Sequence, residues 1–282
     1  MKRSTDFKIL LPTLILILLL FFGYLSLDQR RGEKIVAFCG AASKPALEAA
    51  ATEFEGKTGI RVELHFGGSG DMLSKMILSK GGDLYIPGSP DYMTKAVELG
   101  AVDPSSIKVL AYLVPAIIVP KGNPKNIAEL KDLAKPGLKI AIADPASVCV
   151  GAYAVEVLKF NGLYEQVSRN VVTLAESCSK LAALVTIGGV DAVIGWDVFY
   201  RWNTDKTDII YIEPKARIPK LAYVPAAISS YSKNPVAAGR FLNFLCSQEG
   251  RRHFEIAGYL TTETEAKKYA PNAEVPDIMR LL

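Results

Sequence analysis

Four short stretches hold the residues with chemistry to offer: 39–45 (CGAASKP), 67–71 (GGSGD), 144–153 (DPASVCVGAY) and 175–180 (AESCSK). Each lies between an apolar run fit for a strand and the start of a helical pattern. Each supplies serine hydroxyls and backbone N–H groups, and none is rich in lysine or arginine. The first N–H groups of a helix have no partner within it, and its dipole favours negative charge there. A desolvated dianion can be held by such neutral donors without a counter-charge. Taken singly, Ser43, Ser69 and Ser177 read more readily as ordinary helix caps. Four loops of one kind, two in each half of the chain, point instead to an anion site.

The elements that must position these loops follow from periodicity. KIVAFCG reads as a buried strand. Pro45 then opens a helix in which Leu47, Ala50, Ala51 and Phe54 fall on one face, and Gly59 ends it. Ile60, Val62, Leu64 and Phe66 alternate with polar residues, the period of a half-buried strand. A helix bearing Met72, Leu73, Met76 and Ile77 comes next, then the strand DLYIP and a helix over 90–99. LVPAIIVPKGNP is an apolar, proline-marked crossing segment. Beyond it helices are expected at 127–134, 151–161 and 177–187, alternating with the strands LKIAIADP, NVVTLA and VDAVIGW. LAYVPAAISS echoes the first crossing segment, and Asn234-Pro235 opens a final helix. Strands alternating with helices imply an α/β fold with mostly parallel sheets. Two such blocks joined by two extended segments imply two lobes with a double hinge: lobe 1 from 33–112 and 224–282, lobe 2 from 113–223. Ligands in such folds sit outside the carboxyl ends of the strands, where these loops lie.

Composition narrows the choices. The chain has 282 residues, half of them apolar, which excludes disorder and a disulfide-stapled miniprotein. Of its net charge of +4, the first 32 residues carry five basic and two acidic groups; the remainder is nearly balanced, with no patch for nucleic acid. Two histidines, His65 and His253, have no zinc-like spacing. Gly68-Ser69-Gly70 lacks the third glycine of a dinucleotide loop, and no phosphate-binding G-x-x-x-x-G-K motif occurs. A Ser-His-Asp hydrolase is the enzymatic rival, but neither Ser43 nor Ser69 sits in G-x-S-x-G. No enzymatic activity, cofactor or metal cation is expected.

Residues 9–27 contain no charge and would span about 28 Å as a helix, close to a bilayer's hydrocarbon core. Residues 1–32 therefore read as a signal peptide or a membrane signal-anchor. The length of the run and the absence of an A-x-A cleavage site favour the anchor. Either way the body is expected to be exported, periplasmic or at the cell surface.

The stretch FCGAASKPALEAAATEFEGKTGIRVELHFGGSGDMLSKM, followed by GGDLYIPGSPDYMTKAVELGAV, resembles the first lobe of the molybdate-binding periplasmic proteins of ABC importers. ADPASVCVGAYAVEVLKFNGLY and AESCSKLAALVTIGGVDAVIGWDVF are similar to its second lobe, and the likeness covers roughly residues 33–262. The resemblance implies the type II periplasmic-binding-protein fold, a tetrahedral oxyanion (molybdate or tungstate favoured) held between two lobes, an ABC permease as partner, and a monomer. It places Ser43 and Ser69, with Ala42 and Gly68 before them, at the first-lobe side of the ligand. Backbone amides near Val150 and Cys178 serve the second-lobe side. The tyrosine that often completes this site has no clear counterpart: Ile194-Gly195-Trp196-Asp197 occupies that stretch. Trp196 and Tyr153 either line the cleft or pack at a helix start. An acidic Asp197 at the site would repel a fully deprotonated dianion, yet it could accept a proton from a protonated anion, or point away. Alternatives are a tethered oxyanion sensor, or the same fold serving sulfate or another small anion.

Cys149 and Cys178 both fall in second-lobe loops, and export places them where disulfides persist. A Cys149–Cys178 bridge is therefore expected, fixing two anion-facing loops. The alternatives are small buried apolar residues, as suits Cys246, or soft metal ligands, although no histidine joins them. A bridge from Cys39 would staple the lobes together and is rejected.

Overall fold

The computed structural model describes residues 33–213, 218–276 and 278. The expected signal or anchor segment lies outside the described residues. Among those described, no helix is long and apolar enough to cross a membrane.

Among the described residues ten strands form two five-stranded sheets. They are β1 (Lys34–Gly40), β2 (Arg61–Gly67), β3 (Leu84–Ile86), β4 (Lys108–Leu113), β5 (Pro115–Pro120), β6 (Ile140–Ala143), β7 (Val171–Ala175), β8 (Ala192–Trp196), β9 (Thr207–Tyr211) and β10 (Ala222–Ile228). The first sheet has the order β2-β1-β3-β10-β4 and the second β7-β6-β8-β5-β9. In each sheet one strand opposes the rest: β10 pairs antiparallel with β3 and β4, and β5 with β8 and β9. The other pairings, β1 with β2 and β3 and β6 with β7 and β8, are parallel. The reversal has a simple cause. β4 ends at Leu113 and β5 begins at Pro115, so the chain crosses between lobes over Val114 alone. A strand that enters from the other lobe starts where its neighbours end, and must run against them. β10 enters the first sheet in the same way.

Helices cover the sheets: α1 (Lys44–Thr58), α2 (Ser69–Ser79), α3 (Pro90–Glu98), α4 (Cys149–Phe160), α5 (Tyr164–Ser168), α6 (Cys178–Thr186), α7 (Val198–Trp202), α8 (Pro235–Cys246), α9 (Gln248–Ile256) and α10 (Glu263–Lys267). Pro45 sits in the first turn of α1, and Gly59, in the left-handed region at φ 72°, terminates it. Ala46, Leu47, Ala50, Ala51 and Phe54 form its buried face. β6 and β8 are buried along their whole length, as inner strands covered on both faces should be.

The structure departs from expectation in three places. The 127–134 segment is only a 3-10 turn, Leu130–Ala134. Asn123 binds both backbone groups of Ile127, and the Asp132 carboxylate takes the N–H groups of Ala128 and Glu129, so side chains satisfy what a helix would have used. β4 and β9 form where periodicity gave no strand, and α8 is followed by two further helices. Ala266, Ala270 and Ala273, late in the chain, pack with the apolar cluster of the second sheet, while most of α8 packs with that of the first.

Candidate functional site

Four helices begin at the carboxyl ends of parallel strands. α1 and α2 follow β1 and β2 in the first lobe; α4 and α6 follow β6 and β7 in the second. Their first residues meet between the lobes. The 41–43 turn before α1 packs against α6. A Cβ placed on Gly88 would lie 2.8 Å from Cys149 Sγ and 3.2 Å from Ala42 Cβ; one on Gly40 would lie 2.9 Å from Ser69 Oγ. Glycine at both positions lets two loops and a thiol converge on one point.

All the residues singled out from the sequence lie in or beside this region. Ala42, Ser43, Ser69, Gly68, Cys149, Val150, Cys178 and Trp196 are buried. Ser43 and Ser69 are not helix caps. The Ser43 hydroxyl donates to Gly40 O at 3.0 Å, whereas Ser69 Oγ accepts the Gly88 N–H at 3.1 Å. Ser177 does cap α6, accepting the Lys180 N–H at 3.2 Å. Tyr85 and Tyr259 pin the two serine loops from behind, donating to Ser69 O at 2.9 Å and Ala42 O at 2.6 Å.

The expected Cys149–Cys178 bridge is not formed: Cys39, Cys149, Cys178 and Cys246 are all free thiols. Each cleft cysteine is instead the first residue of its helix, Cys149 of α4 and Cys178 of α6, and both are buried. Hydrogen bonding from Cys178 holds the Cys149 thiol below its ordinary pKa; burial opposes this, and the Ser69 hydroxyl and Val150 N–H add to it. The Cys178 thiol is pushed well up by its bond to Cys149 and by burial.

Trp196, beside the Cys178 sulfur, meets Tyr153 edge-on with centroids 5.2 Å apart, and its buried Nε1 has no hydrogen-bond partner. Ser89, next to Gly88 at the start of α3, also has a buried hydroxyl without a partner. Sequence reasoning missed Ser89; the dipeptide Ser89-Pro90 before a helix was its only signal. Buried donors of this kind are rare in folded proteins.

Asp197 points away from the anion position. Its Oδ1 accepts the Val114 N–H at 3.0 Å, and its own N–H donates to Val114 O at 2.9 Å. The carboxyl therefore clasps the residue between the lobes, and burial pushes its pKa up to about 7.

The lobes are closed on each other. Gly70 N–H donates to Ser147 O at 2.9 Å, and Tyr92 O–H to Ala146 O at 3.0 Å. Lys220 Nζ reaches Asp91 at 2.7 Å and Glu156 at 3.0 Å, joining α3 to α4. Both histidines pair with carboxylates outside the cleft, His65 with Glu63 and His253 with Glu53. Among the described residues no group of three or more His, Cys, Asp or Glu side chains could hold a metal ion.

A fold of two lobes, joined by extended crossings and closed over helix N-termini, defines a solute-binding protein of the type II class. The chain belongs to the family of bacterial extracellular solute-binding proteins, whose model matches residues 35–260. It is 28% identical to a putative binding protein of Haemophilus influenzae, over 79% of this chain and 89% of that one. It is also 28% identical to the molybdate-binding protein ModA of Rhodobacter capsulatus, over 84% and 92%. The sulfate-binding protein SubI of Mycobacterium tuberculosis H37Rv superposes with a TM-score of 0.74 at 18% identity, covering 86% of this chain and 94% of that one.

Proposed function

We propose that the protein captures a small tetrahedral oxyanion in the cleft and delivers it to an ABC permease in the membrane. The convergence of four helix N-termini from both lobes, with serine hydroxyls on one side and neutral backbone donors on the other, is the observation that carries this reading. Ser69, the Val150 and Cys178 amides and the unpartnered Trp196 Nε1–H would supply the donors, joined by Ser43 once its hydroxyl turns from Gly40 O to the anion, with Ala42 and Gly68 shaping the loops. Molybdate or tungstate is favoured by the likeness to ModA, and sulfate is the alternative suggested by the likeness to SubI. With Asp197 turned to Val114, that carboxylate offers the anion no acceptor, which favours fully deprotonated dianions over hydrogen phosphate. The protein then acts as a binding module outside the cytoplasm, held at the membrane by residues 1–32 if that segment is retained.

A thermal-shift panel of molybdate, tungstate, sulfate and phosphate on the purified full-length chain tests this. A ligand at 100-fold over its dissociation constant adds about 2.7 kcal/mol. Stabilisation by molybdate or tungstate is expected; no shift from any of the four contradicts the proposal.

A further inference from the structure

The end of the first lobe opposite the cleft has a surface that solute capture does not use. β1 and β2 start together there, with Lys34 opposite Arg61. Their helices begin at the cleft and run back, so α1 ends at Thr58 beside the start of β2, and α2 ends at Ser79 just before β3. β10 runs the other way and ends at Ile228 on this same base. Asp83 ties the base together. Its carboxylate accepts the Val36 N–H at 2.9 Å, the Ser232 hydroxyl at 2.7 Å, and the Lys233 and Asn234 N–H groups at 3.2 Å. Asn234 Nδ2 donates to Lys34 O at 3.1 Å, and the Ser230 N–H to Ala101 O at 3.0 Å, which brings in the end of α3.

Among the described residues, three of the four large apolar side chains exposed on this lobe lie at the base. Leu78 (84% exposed) is near the end of α2, Leu99 (55%) just past α3, and Val236 (79%) in the first turn of α8. The fourth, Ile256, ends α9 on the cleft side, where Tyr259 reaches Ala42 O.

We propose that this base docks on the surface of a lipid bilayer, with Leu78, Leu99 and Val236 set among the headgroups. The inference rests on residues 1–32 being kept as an anchor. The uncharged run ends at Leu27, and only residues 28–32 separate it from the described body. At full stretch that link reaches about 20 Å. The chain enters the body at Glu33 and Lys34, in the base itself, so an anchor holds this end against the bilayer. A short tether makes docking an intramolecular event at high local concentration, and weak apolar contacts then count for more than on a free protein. The exposed charge is mixed, with Lys34, Arg61, Lys80 and Lys233 beside Glu33 and Glu98. Apolar contact rather than net charge therefore carries the docking, and the lysines can lay their stems along it with their ammonium groups in water. The second lobe exposes Ile187 in the same fashion past the end of α6, but at its own far end, where the Asp191 N–H meets Lys139 O before β6. That end carries no tether. The first lobe is thus fixed on the bilayer while the second stays free to close over solute.

The test reads the quenching of an introduced tryptophan by brominated lipid. Full-length chains carrying Leu78→Trp, Val236→Trp or Ile187→Trp are reconstituted into phosphatidylcholine–phosphatidylglycerol vesicles, with and without bromine on the acyl chains. The wild-type signal, from Trp196 and Trp202, is subtracted. Flotation of the same samples shows whether residues 1–32 hold the chain on the vesicles. All three chains should float, with bromine-dependent loss of emission at 78 and 236 and none at 187. Leu99→Glu and Val236→Glu, added together to the Leu78→Trp chain, should abolish its loss without changing flotation. These positions are exposed, and melting curves confirm that each variant is folded. Flotation with losses at 78 and 236 no greater than at 187, or a loss at 78 that survives both glutamates, overturns the docking alone. Failure to float removes the anchor reading and the docking with it. Neither result touches the oxyanion reading, which the thermal-shift panel decides separately.

Discussion

The two lobes bring different chemistry to one cleft. The first offers oxygen donors that are already fixed: Ser43 and Ser69 are each tied to a backbone group of their own lobe, and tyrosines hold their loops from behind. The second offers two sulfurs and an indole N–H that has no partner. The difference separates two questions that the fold alone runs together. Groups already held by their own lobe are ordered before any ligand arrives, so little ordering cost remains for binding. The second-lobe half, with Cys149, Cys178 and Trp196 buried beside helix starts, is chemically unlike the first.

Substitutions can break this comparison in graded steps. Gly151→Ala should have the largest effect. Its Cβ would lie 2.2 Å from Ala143 O, a backbone atom that cannot move aside. A loss above about 4 kcal/mol is expected, in the exceptional range for one substitution, and a denaturant melt should show the second lobe failing first. A normal melt would mean that α4 has room to shift, and the cleft sulfurs with it.

Asp197 comes next, and its effect depends on pH. The folded carboxyl keeps its proton to about pH 7, whereas an unfolded aspartate releases it near 3.8. Between those values the folded state holds the extra proton, so stability falls as pH rises through the window, by about 4 kcal/mol in all. Asp197→Asn should flatten that slope in melts at pH 4, 5.5 and 7.5. An unchanged slope would remove the carboxyl from the account of the crossing at Val114.

Ser69→Ala and Ser43→Ala sharpen the first-lobe half. If each hydroxyl donates to the anion, either change weakens binding by about 1.5–3 kcal/mol. Ser69→Ala also strands the buried Gly88 N–H and should lower the melting temperature, while Ser43→Ala frees only a carbonyl. Calorimetry and melts on the same proteins separate the two effects. Lys220→Met should be mildest. Its ion pairs with Asp91 and Glu156 are partly exposed, so opening should become easier by about 1 kcal/mol or less, read as a small loss of ligand affinity.

Much of this was legible in the sequence because the signals are local. Pro45 and Gly59 bracket α1, and the fully apolar runs of β6 and β8 mark inner strands. The four loops stand out because helix starts and strand ends follow one another within a few residues. What the sequence hid depends on distance along the chain. Asp197 and Val114 are 83 residues apart, and nothing near either one announces the clasp. The 127–134 turn failed as a helix because Asn123 and Asp132 compete for its backbone groups. Ser89 resembles any residue at a helix start until its hydroxyl is found buried and unpartnered. The cysteine pair was expected as a bridge from compartment arguments, which could not say that the sulfurs remain thiols.

The central claim is that both lobes bind one oxyanion through the first-lobe serines. Calorimetric titration of molybdate into the wild-type chain and into the Ser43→Ala/Ser69→Ala double variant tests it most directly. The account predicts one site per chain in the wild type and a loss in the double variant of about 3 kcal/mol or more, roughly 150-fold in affinity. No heat from the wild type with molybdate, tungstate or sulfate, or equal affinity in both proteins, would contradict it.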